Sequence, residues 1–594
     1  MLFDVASTVA SVAVLGCLIS LSFLLPEREG VLQPSAARTQ RVLLIASAAW
    51  FITAIGNLLA TLADIFDAGI AGVFRFNVLR SFTTQVTLGK LLAFQVIVAL
   101  LVMLLSKAIR RNGGAIWILL LALSGALAPV FQSHSSSLGS HGLAIGSLIV
   151  HVVGISFWLG SVFALQLMSQ SDRELAFTRV STIALWSSLT VVISGAANAW
   201  TRLRLSADWA SSYGYLILAK FVLTILLFAI AARIRKRVSI KKLLPFELSV
   251  MAVILGVGAL LNRFTPQESA AAAYDRVRDF VGIAMPAEPN LQRVLFSYEA
   301  NGLILGLLIF ATALYIRGVV ALVRRGDKWP VGRTISFAIG ISLLDYATSG
   351  GIGLYAHFSF QYHMIAHMVL SMIAPIAIVL SAPITLALRT LPIGREKGER
   401  GIRGLLLTVL HSKPTAIWTH PVVALLIFDG SLFALYFTPL FGNLMSGHFG
   451  HMLMDLHFIA AGLLFFHVIV GIDPNPRKVH YLVRIVMLLA AMSIHAFFSV
   501  ALMSANDLLD GGYYQLLNRP WATDLLSDQK AGAAIGWAMG EIPIVVALIA
   551  TFIQWMRSDA REAKRADQRS AVDLAQYNAY LTQLAARDER LDPK

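Results

Sequence analysis

The sequence predicts an all-α, polytopic integral membrane protein with about 15 transmembrane helices in two helical bundles. The chain has 594 residues, of which 57% are hydrophobic and only 14% charged, and its mean hydropathy is +0.72. That balance excludes an ordinary soluble enzyme. Apolar runs of roughly 17–25 residues recur from end to end, each long enough to cross about 30 Å of hydrocarbon as a helix. The runs are continuously apolar and do not alternate, which argues for helices against barrel strands.

In chain order the runs lie near 5–25, 42–63, 86–106, 115–131, 142–168, 180–200, 214–232, 245–261, 300–323, 334–355, 362–388, 418–438, 450–472, 481–503 and 533–556. No basic segment precedes the first, since Met1 to Asp4 carries none, so this run is expected as a retained helix and not a cleaved signal. It holds Cys17, the only cysteine, and a disulfide framework or a Cys-x-x-Cys motif is excluded. Any soft metal must then be held by His and Met. After the eighth run comes the longest polar break, with Arg263, Glu268, Asp275, Arg276 and Glu288 among Pro266, Pro286 and Pro289. It divides the chain into an eight-helix membrane domain over 1–262, an extracytoplasmic linker over 263–299, a seven-helix domain over 300–557 and a charged cytoplasmic tail over 558–594. Within the linker, AAAAYDRVRDF reads as a short surface helix.

The net charge of +15 is a topology signal. Lys and Arg gather in alternate loops: Lys107, Arg110 and Arg111, then Arg233 to Lys242, then Arg324, Arg325 and Lys328, then Arg395 to Arg403, then Arg477 and Lys478. The loops 132–141, 356–361 and 439–449 contain no Lys or Arg. By the positive-inside rule the N-terminus is outside and the C-terminal tail cytoplasmic. The basic loops suit an anionic lipid surface, and without aromatic interleaving they do not argue for nucleic acid. There is no GxxxxGK[ST] loop and no DKTG-like phosphorylation site, so nucleotide-driven pumping has no support.

Ten of the fourteen histidines fall on the non-basic side of this arrangement: His134, His141, His151, His357, His363, His367, His448, His451, His457 and His495. Ionisable residues in a bilayer are costly unless they have a task, and imidazole beside thioether suits a borderline or soft metal such as copper. His363 and His367 are four apart and share one helix face, with Met364 and Met368 repeating the spacing about 100° around. Helix rise alone puts His367 roughly 8 Å, His457 roughly 10 Å and His495 roughly 12 Å below the outer surface, a common depth for a shared site. Met364, Met368, Met452, Met454 and Met503 lie near the same level, Asp455 offers an oxygen ligand for a harder ion, and His448 and His451 lie in the outer loop. His134 and His141 sit in the outer loop and His151 roughly 14 Å down the fifth run, as an entry and a first intramembrane stop. For each histidine the alternative is an interhelical hydrogen bond, and for each Met, core packing. Asp345 and Asp429 read as a polar network, a proton path or paired structural groups; Glu541 and Asp528 are placed to close the outer site, and Lys90 and Lys220 to snorkel. His411, His420, His467 and His480 lie towards the cytoplasm.

The stretch SHSSSLGSHGLAIGSLIVHVVGISFWLGSVFAL, residues 133–165, resembles the CopD family of copper-resistance membrane proteins, a resemblance covering about 250 residues. QYHMIAHMVLSMIAPIAIVLSAP at 361–383, HP at 420–421, LHFIAAGLLFFHVIVGIDP at 456–474, HAFFSVALM at 495–503 and DQKAGAAIGWAMGEIP at 528–543 resemble the CtaG family, associated with copper insertion into haem–copper cytochrome oxidases. The second resemblance implies His363, His367, His457 and His495 as functional residues; His448 and His451 stand outside that set. Together they imply a bacterial plasma-membrane protein that binds copper, with Cu(I) favoured, and hands it to subunits of haem–copper cytochrome c oxidase, an exchange with no covalent catalysis and so not the work of an enzyme. An extracytoplasmic copper chaperone and membrane lipid are further implied partners. A copper importer or efflux path without an assembly role, and a b-type cytochrome with axial histidines, are the alternatives.

Overall fold

The computed structural model describes residues 2–591 apart from 29–30, 34, 67–74, 133–140, 204–206, 236–239, 262–274, 394–400, 448–449 and 478. Among the described residues the regular structure is helical except for one small hairpin, Glu27–Arg28 against Val31–Leu32, and an isolated bridge between Tyr298 and Gly350. Fifteen apolar helices follow one another. The first eight are α1 (Leu2–Ile19), α2 (Ala36–Phe66), α3 (Thr87–Leu105), α4 (Asn112–Leu127), α5 (His141–Leu167), α6 (Gln170–Leu203), α7 (Ser212–Arg235) and α8 (Ile240–Leu261). The next are α9 (Gly302–Arg324), α10 (Val331–Thr348), α11 (Phe360–Met368, continuing through a π turn into Ala374–Leu380) and α12 (Pro421–Leu425, a π turn, then Ser431–Tyr436). The last are α13 (Gly450–Val470), α14 (Tyr481–Met503) and α15 (Leu525–Leu591).

Twelve helices among the described residues are long and apolar enough to cross a membrane. The other three expected runs are helical too, but shorter or less apolar. α8 carries Pro245 inside it, and the run at 334–355 divides into α10 and the short helix Gly351–Ala356. The expected surface helix in the polar break forms over Arg276–Val281, started by Asp275, whose carboxylate accepts the Val277 and Arg278 N–H groups. From there the chain lies on the second bundle. Tyr355 donates to Ala287 O at 2.7 Å, Trp521 to Pro286 O at 3.0 Å and Tyr346 to Val294 O at 2.7 Å.

Buried side chains form two large cores, one drawn from Val14 to Ile254 and the other from Ile304 to Ile544. The bundles meet along α5 and α9. A Cβ on Gly146 would stand 2.1 Å from Leu303 N, and one on Gly302 would stand 2.7 Å from Leu143 O. Small residues are what permit that backbone contact. Beside this seam, Ile145 and Ile149 of α5 pack with Met452 of α13.

Two π turns shape the second bundle. The one at Val369–Ile373 directly precedes Pro375, which has no N–H to donate and whose ring clashes with the carbonyl of Ser371. Ser371 O is thereby turned towards α13, where a Cβ on Gly462 would stand only 2.0 Å from it. Glycine at 462 lets α13 lie directly on α11. The second π turn, Leu426–Gly430, carries Asp429 into the core.

Candidate metal centre

α11 begins at a built cap. Asp528 of α15 accepts the Ser359 hydroxyl at 2.8 Å and the Phe360 N–H at 2.9 Å, and is itself paired with Arg519 at 2.8 Å. Asp528 therefore anchors the helix start instead of facing the site. One turn later His363 and His367 share the face towards α13, their ring centroids 3.9 Å apart. Across the close approach at Gly462, α13 presents His451 and Asp455, also one turn apart.

One nitrogen from each of His363, His367 and His451 comes within 4.8 Å of the others, and all three residues are buried. Three ligands at about 2.0–2.1 Å around one ion stand about 3.5 Å apart, so small side-chain rotations close the set. Asp455 flanks it, with Oδ1 3.9 Å from His367 Nε2 and Oδ2 3.6 Å from His451 Nδ1. Both nitrogens of His363, Nε2 of His367 and Nε2 of His451 are buried without a hydrogen-bond partner. Buried polar atoms are normally satisfied, and three clustered imidazoles that each carry an orphaned nitrogen fit a cation as the missing partner.

The outer shell fits the same purpose. Tyr436 Oη lies 3.0 Å from His367 Nδ1; with Nδ1–H donating to it, the Nε2 lone pair is free. The Phe458 ring stands 4.1 Å from the His367 ring and the Phe441 ring 5.1 Å from the His363 ring, so apolar rings line the pocket. His357 stacks on His451 at 4.0 Å and donates Nδ1–H to Gly353 O at 2.9 Å. Desolvation and the neighbouring His451 push its pKa down to about 3, which keeps it neutral.

The remaining sequence candidates are placed elsewhere. His457, two residues beyond Asp455, is exposed on the opposite face of α13. His495 is fully buried on α14, with Nε2 donating to Gly536 O at 3.2 Å and Nδ1 3.8 Å from Asp429 Oδ1. Helix rise set the common depth of these residues but said nothing of their azimuth, and azimuth separates them. Met364 and Met368 are core residues, with Met364 Cε 2.7 Å from where a Gly536 Cβ would stand; Met503 packs partly buried against the same core. His151 uses both ring nitrogens: Nδ1 faces Val191 O at 3.0 Å and Ser194 Oγ at 3.1 Å, and Nε2 meets Lys220 Nζ at 3.4 Å. Lys220 thus turns inward, where the imidazole offers it a hydrogen bond, instead of snorkelling. Asp345 accepts the Tyr298 hydroxyl at 3.1 Å. His134 and His448 lie outside the described residues, as does the side chain of His141, the first residue of α5. His357 is one of the ten histidines of the non-basic side but has no spacing that ties it to the cluster, and Tyr436 has none either; both reach the site through tertiary packing.

Fold and site define an all-α, multi-pass membrane protein with a buried histidine cluster at one end of its second bundle. Residues 313–558 match the family model for the cytochrome c oxidase caa3 assembly factor. Residues 2–143 match that for the copper resistance protein D-like N-terminal domain, and 174–261 that for copper resistance protein D. The chain is a fusion of these two families. It is similar to uncharacterised proteins of Mycobacterium bovis and Mycobacterium tuberculosis, at 38% identity over 311 residues, covering 52% of this chain and 47% of each relative. The chain therefore spans about half the length of the curated relatives it matches. No solved structure matches it.

Proposed function

We propose that the chain receives copper at the outer face of a bacterial plasma membrane, holds it at His363, His367 and His451, and passes it to an apo-subunit of haem–copper cytochrome c oxidase. The observation that carries this reading is the buried cluster of three imidazoles, His363, His367 and His451, each with a nitrogen that has no hydrogen-bond partner. Three neutral imidazoles suit a borderline cation, and Asp455 balances the charge of a monovalent ion in a low-dielectric site. Copper is cargo here, exchanged between coordination spheres with no covalent step. Nitrogens this close together favour one small ion over a haem, whose axial histidines must flank a macrocycle. Met452, next to His451, packs on α5 just beyond the histidine-bearing loop of the first bundle, which supports supply from that half to the triad.

The test is Cu(I) binding by the purified chain, together with oxidase maturation in cells. His363→Ala with His367→Ala is expected to remove one copper equivalent and impair maturation while the protein still inserts. Full copper content with normal oxidase activity would refute the assignment. Loss of copper with normal maturation would leave an importer or efflux protein.

A further inference from the structure

The second buried polar cluster lies on the other side of an aromatic wall. Tyr436, hydrogen-bonded to His367, has its ring 5.7 Å from Phe498, whose ring is 6.2 Å from that of His495. Beyond it, His495 of α14 and Asp429 of the α12 π turn face each other with exposures of 0% and 1%. His495 Nδ1 and both carboxylate oxygens of Asp429 have no hydrogen-bond partner. Nδ1 and Oδ1 stand 3.8 Å apart, too far for a hydrogen bond. Two coordination bonds of about 2.0–2.1 Å to one ion span that gap with a bend of roughly 130–145° at the ion.

The surroundings set the imidazole for ligation. Nε2–H donates to Gly536 O, so the neutral ring turns the lone pair of Nδ1 towards the carboxylate. A lone pair against a carboxylate is repulsive unless a cation lies between them. Gly540 completes the seat, since a Cβ there would stand 2.1 Å from Nε2. On the same two helices, Glu541 and Ser493 are the polar members of an otherwise apolar open groove with Met492 and Trp537.

We propose that Asp429 and His495 form a second copper station, separate from the histidine triad, with one imidazole nitrogen and one carboxylate as donors. Asp429 neutralises a monovalent ion, so the loaded site carries no net charge into the membrane interior. That the ion is copper rests on the function proposed above; that a cation sits there rests on the orphaned atoms. A shared proton is the competing occupant.

The experiment is anaerobic Cu(I) titration of the full chain against a chromophoric chelator, with thermal unfolding to verify that each variant is folded. Asp429→Asn, His495→Gln and Gly540→Ala are each expected to bind one equivalent fewer than the unsubstituted chain. The His363→Ala, His367→Ala double variant should retain the equivalent that Asp429→Asn loses, and its copper X-ray absorption should show nitrogen and oxygen neighbours. A full complement in folded Asp429→Asn and His495→Gln would overturn the station and leave a proton as the occupant. Complete loss of copper in the triad variant would also overturn it, because the station would not bind alone. Loss at Asp429→Asn with none in the triad variant would instead sink the function proposed for the triad.

Discussion

At the scale of single residues, the triad depends on azimuth and on what completes each imidazole. Asp455 reaches both His367 and His451, so Asp455→Asn keeps the shape of the pocket and removes its compensating charge. Cu(I) affinity, measured by chelator competition, should fall about 10–100-fold, the usual cost of losing an outer-shell partner. His457→Ala should leave copper content unchanged, because the ring is exposed on the far face of α13. A lost equivalent in that variant would require a partner to bring His457 to a metal.

At the scale of elements, glycines at helix crossings decide how closely the ligand-bearing helices approach. A methyl at 462 meets the fixed backbone carbonyl of Ser371, whereas one at 536 meets only the flexible end of Met364. Gly462→Ala should therefore destabilise the bundle by about 1–3 kcal/mol and weaken copper binding, with Gly536→Ala well below that. Thermal unfolding of both variants checks the order. The start of α11 hangs on a buried ion pair, and Arg519→Leu leaves Asp528 as an uncompensated buried charge. A loss of about 3–5 kcal/mol is expected there.

At the scale of the whole molecule, the basic loops and the histidine-rich loops alternate along the sequence, and the proposed function needs the histidines outside. Cysteines introduced at 443–447 should react with an impermeant thiol reagent in whole cells, and cysteines at 395–403 should be protected. The reverse labelling would turn the histidine cluster to the cytoplasm. The α5–α9 seam makes a second prediction at this scale. Gly302→Leu should wedge the bundles apart, because the added side chain has the backbone of Leu143 in its path. Crosslinking between cysteines placed at Ile149 and Met452 reports it, with a lower yield than in the parent pair.

The sequence by itself determined the helical class, the fifteen apolar runs and the pairing of His363 with His367, since length, hydropathy and i, i+4 spacing are local properties. It also carried a legible signal that spacing alone left unused, Gly532, Gly536 and Gly540 every fourth residue on α15, which accept Phe360, Met364 and His495. Only the tertiary structure decided that His451 joins the pair, that His457 faces away and that His495 turns to Asp429. Depth along a helix can be counted from the sequence. Rotation about its axis is fixed by neighbours: the π turn before Pro375, the gap at Gly462 and the inward turn of Asp429 are each set by packing between helices far apart in the chain.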